Sequence, residues 1–146
     1  MNKSHDMKHD MKHDTGNDIG QGTGTTESNT SADWTNGGNR LMFQHCGSCQ
    51  NTWYFKRSFC PACGDQAAVP TPSTGRGLVH ASTLVQRAAS DEFRAIAPYR
   101  IVLVDLAEGF RVMAHGDKLL LIGDRVQCQI QHIAGRPLPF FNKETS

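Results

Sequence analysis

The chain has 146 residues, a length that suits one domain or two small ones, and a formal net charge of only +1. So balanced a charge disfavours a nucleic-acid-binding protein, which usually carries a clustered basic stripe. No apolar run approaches the roughly 20 residues that span a bilayer, and the longest is the strand-sized run at 119–122. The N-terminus also lacks the apolar segment of a secretory signal. We therefore expect a cytoplasmic protein without membrane contact.

Residues 1–33 are predicted to form a disordered leader. The repeated unit Met-Lys-His-Asp is followed by a stretch rich in Gly, Thr, Ser and Asn, which cannot bury enough apolar area to offset its conformational entropy. His5, His9 and His13 recur every four residues, so a transient helix would align them on one face and allow weak nickel or copper binding. A solvated polar leader is the simpler interpretation of this composition.

Four cysteines lie within eighteen positions as two C-x-x-C pairs, Cys46 with Cys49 and Cys60 with Cys63. Paired cysteines in a reducing compartment are more often metal ligands than disulfides, and zinc prefers four tetrahedral ligands of this kind. Iron could occupy the same four thiolates. A thioredoxin-like redox centre would need a βαβ context, which the sequence does not show. We therefore predict one zinc ion held by all four cysteines, with iron as the alternative.

Four thiolate ligands leave no coordination position for water or substrate, whereas catalytic zinc keeps one open. The predicted site is therefore structural, and it would fold a segment too small to form its own core. Gly47 and Gly64 suit the two turns, and Gly64 is expected to turn the chain back with a positive φ. The ten residues between the pairs are predicted to form a β-hairpin, because Trp53, Tyr54 and Phe55 favour strands.

The composition changes after the cysteine module. Residues 34–69 are assigned to a lead-in and the ribbon, and residues 69–77, with two prolines and two glycines, are predicted to be a linker. Short runs of β-branched residues then follow through residues 77–141, and residues 142–146 are left as a tail.

The region after the linker is predicted to form a small barrel. Residues 99–116 are typical of two strands around a turn, and the segment before Pro98 favours one helical turn. Val126, Cys128 and Ile130 alternate with three glutamines, as expected of a half-buried antiparallel strand with Cys128 as a core thiol. Four or five short strands in about seventy residues favour a barrel, because closure removes exposed edges.

No catalytic set is recognisable in the sequence. His80, His115 and His132 lack an activating neighbour, and no glycine-rich phosphate loop precedes a helix. Asp105 and Glu108 flank the turn of the predicted strand pair and are expected to be solvated. Whether the chain is an enzyme therefore stays open, because no catalytic residue of its own can be named.

Several short motifs follow one another in a fixed order from the cysteine module into the barrel. They are RLMFQHC at 40–46, CPACG at 60–64, the strand at 77–85, APY at 97–99, VLV at 102–104, EG at 108–109 and IGDRV at 122–126. This order, over residues 34–141, resembles the DUF35 family. The resemblance implies a mostly β protein, with a disordered leader, an N-terminal rubredoxin-like zinc ribbon and a small OB-fold barrel.

The resemblance also implies a partner. Members of this family assemble with thiolase-like enzymes, and some accompany aldolases or hydratases that act on acyl-CoA. The chain is then expected to be a non-catalytic subunit that braces a thiolase-like catalytic subunit and helps to bind a CoA thioester. The degradation of aromatic compounds is a candidate setting for this role.

The phosphates of a CoA ester favour Arg and Lys as contacts. Lys56 and Arg57 at the ribbon tip, Arg76 in the linker and Arg100 in the barrel are the candidates, although each would equally suit an ordinary solvated cation. The ribbon aromatics at 53–55 could line a subunit interface or could pack the ribbon against the barrel.

Two other functions are compatible with a ribbon and a barrel. The chain could be a stand-alone acyl-CoA-binding protein. It could also bind single-stranded nucleic acid, although that mode needs stacking aromatics and a basic groove. Residues 41–146 carry eleven Lys and Arg against eight Asp and Glu, a net charge of +3, so nucleic acid is disfavoured as a partner.

Overall fold

The computed structural model describes residues 32–145. All but the last two residues of the predicted leader lie outside the described residues, and so do its three histidines. The described chain is mostly β, as predicted. Within it, no helix is long and apolar enough to cross a membrane. Its elements are a 3₁₀ helix (Trp34–Asn36), β1 (Met42–Cys46), β2 (Thr52–Trp53), β3 (Ala68–Pro72), β4 (Arg76–Val85), α1 (Asp91–Ile96), β5 (Tyr99–Leu106), β6 (Arg111–Gly116), β7 (Arg125–Ile133) and β8 (Arg136–Lys143).

A three-stranded sheet places β1 between β2 and β3. β3 runs antiparallel to β1 over five residue pairs, from Met42 opposite Pro72 to Cys46 opposite Ala68. The predicted linker at 69–77 is therefore wrong except at 73–75, because its first four residues belong to β3 and its last two to β4. Its two prolines are tolerated because β3 lies at the edge of the sheet, where an N–H group needs no strand partner.

The segment between the cysteine pairs forms less strand than predicted. β2 contains only Thr52 and Trp53, and both pair with β1. Phe55 has a φ of +66°, which an extended strand cannot adopt. The backbone leaves the sheet at this residue, so residues 54–59 are irregular. The prediction of a hairpin inside this segment is wrong.

The second half of the chain closes into a five-stranded barrel with the order β4-β5-β6-β8-β7. β6 and β8 run parallel, and the other neighbours, including the closing pair of β4 and β7, are antiparallel. This is the arrangement of an OB-fold barrel, which confirms the predicted fold class. The predicted helical turn is α1, which lies between β4 and β5.

One hydrophobic core joins the three-stranded sheet to the barrel. Phe43 of β1 stacks on Phe110 of the β5–β6 turn with ring centroids 5.0 Å apart. Cys128 is half-buried against this core, and burial raises the pKa of its thiol to about 11. The buried members of the core are Leu41, Phe43, Val79, Val102, Val104, Leu106, Phe110, Val112, Ala114, Leu120, Val126 and Phe141.

Polar contacts also join the two parts of the chain at the β5–β6 turn. The carboxylate of Glu108 accepts hydrogen bonds from the hydroxyl of Ser73, at 3.1 Å, and from the N–H and hydroxyl of Thr74, at 2.5 and 2.8 Å. The hydroxyl of Thr52 donates to the carbonyl of Gly109 at 3.3 Å. Glu108 was expected to be solvated, and that expectation is wrong because the segment after β3 folds back onto the turn.

Candidate metal centre and adjacent clefts

The four paired cysteines come together at the end of β1. Cys46 and Cys60 are buried, whereas Cys49 and Cys63 are exposed. All four sulfur atoms lie within 4.8 Å of one another, with 3.7 Å between Cys46 and Cys63 and 3.6 Å between Cys49 and Cys60. A disulfide would need about 2.05 Å, and all these cysteines are free. A tetrahedral ion with metal–sulfur bonds of about 2.3 Å places its sulfurs about 3.8 Å apart, so the cluster is positioned to bind one metal ion.

The backbone repeats one hydrogen-bond pattern around each C-x-x-C pair. The N–H groups of Cys46 and Cys60 donate to the carbonyl five residues further on, at 2.9 and 2.7 Å. Their own carbonyls accept from the N–H four residues further on, at 3.0 Å in both turns. Sγ of Cys46 accepts from the N–H of Cys49 at 3.5 Å, and Sγ of Cys60 accepts from that of Ala62 at 3.4 Å. These donors favour the thiolate form that a metal needs.

The thiols of the cluster differ in acidity. Burial raises the pKa of Cys60, but the N–H groups of Cys63 and Ala62 outweigh burial and lower that pKa to about 7. The N–H of Asp65 lowers the pKa of Cys63, but the thiol of Cys49 and burial outweigh it and raise that pKa to about 12. A metal ion must displace the protons of these thiols, so metal affinity is expected to fall as the pH falls.

The donor set fits a structural metal. Four thiolates suit zinc, and they suit iron as well, so the predicted alternatives both remain compatible with the geometry. All four ligands come from this chain, which leaves no open position for a substrate. When bound, the metal would tie the ends of β1 and of the irregular segment together, and would supply folding free energy rather than a reactive water.

The four cations proposed for CoA phosphates do not form one site. Lys56 and Arg57 line a cleft of about 210 Å³ beside β1, which we call the ribbon cleft. Arg76 pairs with Glu144 at 3.3 Å at the start of β4. Arg100 lies at the other end of the β5–β6 hairpin from the ribbon. Of the four, only Lys56 and Arg57 are brought together, in the lining of the ribbon cleft.

Gln44 is a site residue that the sequence analysis missed. It is only 7% exposed and lies in the centre of β1. Its Oε1 accepts from the backbone N–H of Arg57 at 2.6 Å and from the indole of Trp53 at 3.0 Å, and its Nε2 donates to the carbonyl of Arg57 at 3.1 Å. Gln44 therefore holds the backbone of Arg57 in place. The signal for it was a polar residue on the same strand face as Met42 and Cys46, which are both buried.

The three ribbon aromatics have different environments. Trp53 is buried. Tyr54 stacks on Phe110 with centroids 5.7 Å apart, and its hydroxyl accepts from the indole of Trp34 at 2.8 Å. Phe55 is 62% exposed. Trp53 and Tyr54 therefore have a packing role, which was one of the two roles predicted for the ribbon aromatics. Phe55 remains exposed and is available to a partner, which was the other predicted role.

Neighbouring strands bring His80, Asp105 and Arg111 together on the barrel wall. Nδ1 of His80 lies 3.1 Å from Asp105 and 3.0 Å from the guanidinium of Arg111. The hydrogen bond from Arg111 is the main cause that lowers the pKa of Asp105. Asp105 was expected to be solvated, and its side chain is 46% exposed, although it also forms an ion pair with Arg111. Because these side chains remain about half exposed, they form a surface ion-pair network of modest energy.

Known proteins match both parts of the chain. Two family models match it, the rubredoxin-like zinc ribbon domain of ChsH2 over residues 39–68 and the C-terminal OB-fold domain of ChsH2 over residues 71–131. A DUF35 domain-containing scaffold protein of Methanothermobacter thermautotrophicus is 31% identical over 92 residues, which are 60% of this chain and 68% of the relative. The chain belongs to the DUF35 family.

Two solved structures are also similar to this DUF35 chain. A chain of the Ltp2-ChsH2(DUF35) aldolase has a TM-score of 0.61 and 25% identity, covering 71% of this chain and 84% of that one. A DUF35 protein of unknown function from Sulfolobus solfataricus has a TM-score of 0.49 and 14% identity, with 72% and 76% covered. The first likeness spans most of the described DUF35 chain, so ribbon and barrel occur together in a solved relative.

Proposed function

We propose that this DUF35 chain is an accessory subunit that binds and braces the catalytic chain of a thiolase-like or aldolase-like acyl-CoA enzyme. Two relatives support this role, since one is described as a scaffold protein and the other is part of the Ltp2-ChsH2(DUF35) aldolase, which is named for two proteins. The small subunit of a benzoylsuccinyl-CoA thiolase is one candidate identity, which rests on size and domain order. Zinc is the metal we propose for the four cysteines.

An exposed apolar patch carries the proposal. The loop at 117–124, which we call the β6–β7 loop, leaves 85% of Leu119, 66% of Leu121 and 70% of Ile122 exposed. Leu120 between them is 1% exposed and anchors the loop in the barrel core. Apolar side chains that cluster in solvent mark contact surfaces more often than chance exposure. A catalytic partner with an apolar pocket would bury Leu119, Leu121 and Ile122 together.

Hydrogen bonds hold this loop in one shape. Asp117 accepts from the N–H of Leu119 at 2.8 Å, and Asp124 accepts from the N–H of Leu121 at 2.9 Å. Asp124 also pairs with Lys143 at 2.9 Å. The patch is therefore preorganised, and a partner that binds it has little loop entropy to remove.

The CoA end of the substrate is proposed to lie in the ribbon cleft. Lys56 and Arg57 supply positive charge there, and Tyr54 and Phe55 supply ring surface. The backbone of Arg57 is fixed by Gln44, which lowers the entropy that a phosphate contact would otherwise cost. The cleft of about 210 Å³ would hold part of a CoA ester, with the catalytic partner covering the remainder.

The test is co-expression with the thiolase-like or aldolase-like chain encoded nearest to this one, followed by affinity capture and light scattering. The wild type is expected to form a stable complex. Leu121→Glu and Ile122→Glu should each weaken it about thirtyfold or more, because a charge in an apolar contact costs roughly 2 kcal/mol or more.

Met113→Glu is the matched control. Met113 is 69% exposed on β6, as open as Leu121 or Ile122, but it stands outside the β6–β7 loop. The Met113→Glu variant should therefore form the complex as tightly as the wild type. The subunit role fails if the catalytic chain is stable and fully active alone, or if the complex does not form. Equal loss in all three variants would reject the β6–β7 loop as the contact.

A further inference from the structure

A second cleft borders the β6–β7 loop, at the end of the barrel away from the ribbon. The ribbon contacts the β5–β6 turn, whereas this cleft lies at the other end of the same hairpin, where Arg100 pairs with Gly116. Its volume is about 530 Å³, and we call it the barrel cleft. Leu119 of the β6–β7 loop is one of its lining residues. The exposed side chains of the loop and the barrel cleft therefore form one continuous surface.

Two different elements contribute exposed apolar side chains to the barrel cleft. Leu119 of the β6–β7 loop is 85% exposed, and Ile96 of α1 is 39% exposed. The helix α1 buries none of its residues, and it contacts the barrel through Phe93, whose ring stacks on His115 with centroids 5.7 Å apart. Because α1 only rests on the barrel in this way, Ile96 stays available for burial by another molecule.

Three half-buried rings complete the apolar lining of the barrel cleft. They belong to Tyr99, His115 and Phe140, and the rings of Tyr99 and His115 have centroids 5.0 Å apart. Burial lowers the pKa of His115, so its imidazole is neutral near pH 7 and adds no charge to the lining. The cleft therefore suits a bulky apolar side chain, and an aromatic one could also stack on these rings.

Two cations without a carboxylate partner also line the barrel cleft. The guanidinium of Arg100 donates from Nε to the carbonyl of Lys118 at 2.9 Å and from Nη1 to the hydroxyl of Ser82. No carboxylate of residues 32–145 forms an ion pair with Arg100 or Lys118. Asp117 lines the same cleft, but its carboxylate accepts from the N–H of Leu119 at 2.8 Å. The charge of the cleft is therefore complementary to an acidic group.

The extent and the charge of this surface select its occupant. A small ligand in the barrel cleft would leave Leu121 and Ile122 in solvent, whereas a protein could cover the cleft and the β6–β7 loop together. A second copy of this chain, packed about a twofold axis, would bring the same two cations towards each other, and like-charge repulsion disfavours that contact. A partner that presents apolar and acidic side chains fits both the apolar lining and the cations.

We propose that the catalytic partner inserts a bulky apolar side chain into the barrel cleft, with an acidic residue beside it. The apolar side chain packs against Ile96, Leu119 and the ring of Tyr99. The neighbouring carboxylate accepts charge-assisted hydrogen bonds from Arg100 and Lys118. This inference rests on the proposed subunit role, and it extends the contact with the partner from the β6–β7 loop to α1.

The test measures the dissociation constant of the complex that the full, metal-loaded chain forms with the co-expressed catalytic chain. Ile96→Glu should raise this constant about tenfold or more, because the variant places a charge in an apolar contact. Val69→Glu is the matched control. Val69 is 43% exposed in β3, outside both the barrel cleft and the β6–β7 loop, so its variant should bind as tightly as the wild type.

The acidic residue of the partner is tested separately. Arg100→Met should raise the dissociation constant about tenfold and make it less sensitive to salt, because the variant removes a charge-assisted contact. Lys118→Glu changes an exposed side chain and should weaken the complex at least as much, so it decides the matter if Arg100→Met does not fold. A carbodiimide, which joins an amine to a carboxylate in direct contact, should link Lys118 to an Asp or Glu of the catalytic chain, and mass spectrometry identifies that residue.

The subunit role and this inference can fail separately. If the wild type forms no complex with the catalytic chain, both are wrong. If Leu121→Glu weakens the complex while the three cleft variants bind as the wild type does, the partner contacts the loop and not the barrel cleft, and this inference alone is wrong. If Ile96→Glu instead abolishes self-association of the isolated chain and leaves the partner complex unchanged, the occupant of the cleft is a second copy.

Discussion

Gln50 and Gly64 occupy the same position in the two C-x-x-C turns, and both have a left-handed backbone, with φ of +62° and +78°. Each directly follows the second cysteine of its pair. Glycine adopts this conformation without strain, whereas in other residues it costs roughly 1–2 kcal/mol of conformational free energy. The side chain of Gln50 offsets part of this cost by donating to the carbonyl of Gly47 at 3.2 Å.

Gly64→Ala should destabilise the metal-loaded protein by about 1 kcal/mol. A Cβ added at Gly64 meets nothing within 4 Å, so the loss comes from the backbone conformation and not from a clash. Denaturant unfolding of the metal-loaded variant measures it. Gln50→Gly is the matched variant and should change the stability by less. Equal stability of Gly64→Ala and the wild type would contradict the argument.

Cys60→Ala should abolish stable metal binding and unfold the ribbon, because a structural ion contributes on the order of 10 kcal/mol in small modules. Elemental analysis should find one metal ion per wild-type chain and none in the variant. Cys128→Ala is the control, since Cys128 packs against the barrel core and should leave the metal content unchanged. A folded, metal-free ribbon in Cys60→Ala would show that the ion is dispensable.

Gln44→Leu should lower the free energy of unfolding by about 2 kcal/mol or more, because it leaves buried donors of Trp53 and Arg57 without an acceptor. Hydrogen exchange should show faster opening of residues 54–58, while barrel amides keep their protection. Gln50→Ala provides a comparison, since that glutamine is exposed and should cost far less. Unchanged exchange at 54–58 would mean that Gln44 does not hold this segment.

Arg57→Glu should raise the KM for the acyl-CoA substrate more than tenfold in the assembled enzyme. A charge-assisted contact to phosphate contributes roughly 1.5–3 kcal/mol, and the reversed charge adds repulsion. Metal content and complex formation should not change. Arg87→Glu, an exposed cation outside the ribbon cleft, should leave KM as it is. If Arg57→Glu leaves KM unchanged, the CoA ester does not bind in the ribbon cleft.

The β6–β7 loop should loosen in acid. The hydrogen bond from Lys143 and that from the N–H of Leu121 hold the pKa of Asp124 below its ordinary value of 3.8. A lowered pKa means that the stabilisation is present above pH 3.8 and is lost as the pH falls through the folded-state value. Wild-type stability should therefore approach that of Asp124→Asn below pH 3.8. A difference between the two that stays constant from pH 6 to pH 3 would contradict this assignment.

Local patterns in the sequence were enough to predict the four cysteines that are positioned to bind one metal ion, and the strand character of the barrel. The C-x-x-C spacing places two sulfurs on one turn by itself, and Gly64 has the positive φ that the turn requires. Val126 is buried and Gln129 is exposed on the opposite side of β7, as the pleat of a strand requires, but Gln127 and Gln131 are as half-buried as Cys128 and Ile130. These features depend on contacts within a few residues, so the residue order is enough to predict them.

Pairing between distant segments was decided only in the tertiary structure. The proline-containing stretch after the ribbon is a strand because β1 offers it a partner about 25 residues earlier in the chain. Glu108 is held by Ser73 and Thr74, and Gln44 by Arg57. The run at 119–122 buries only Leu120, because the loop's position on the barrel, and not the hydrophobicity of its residues, sets which side chains reach the core.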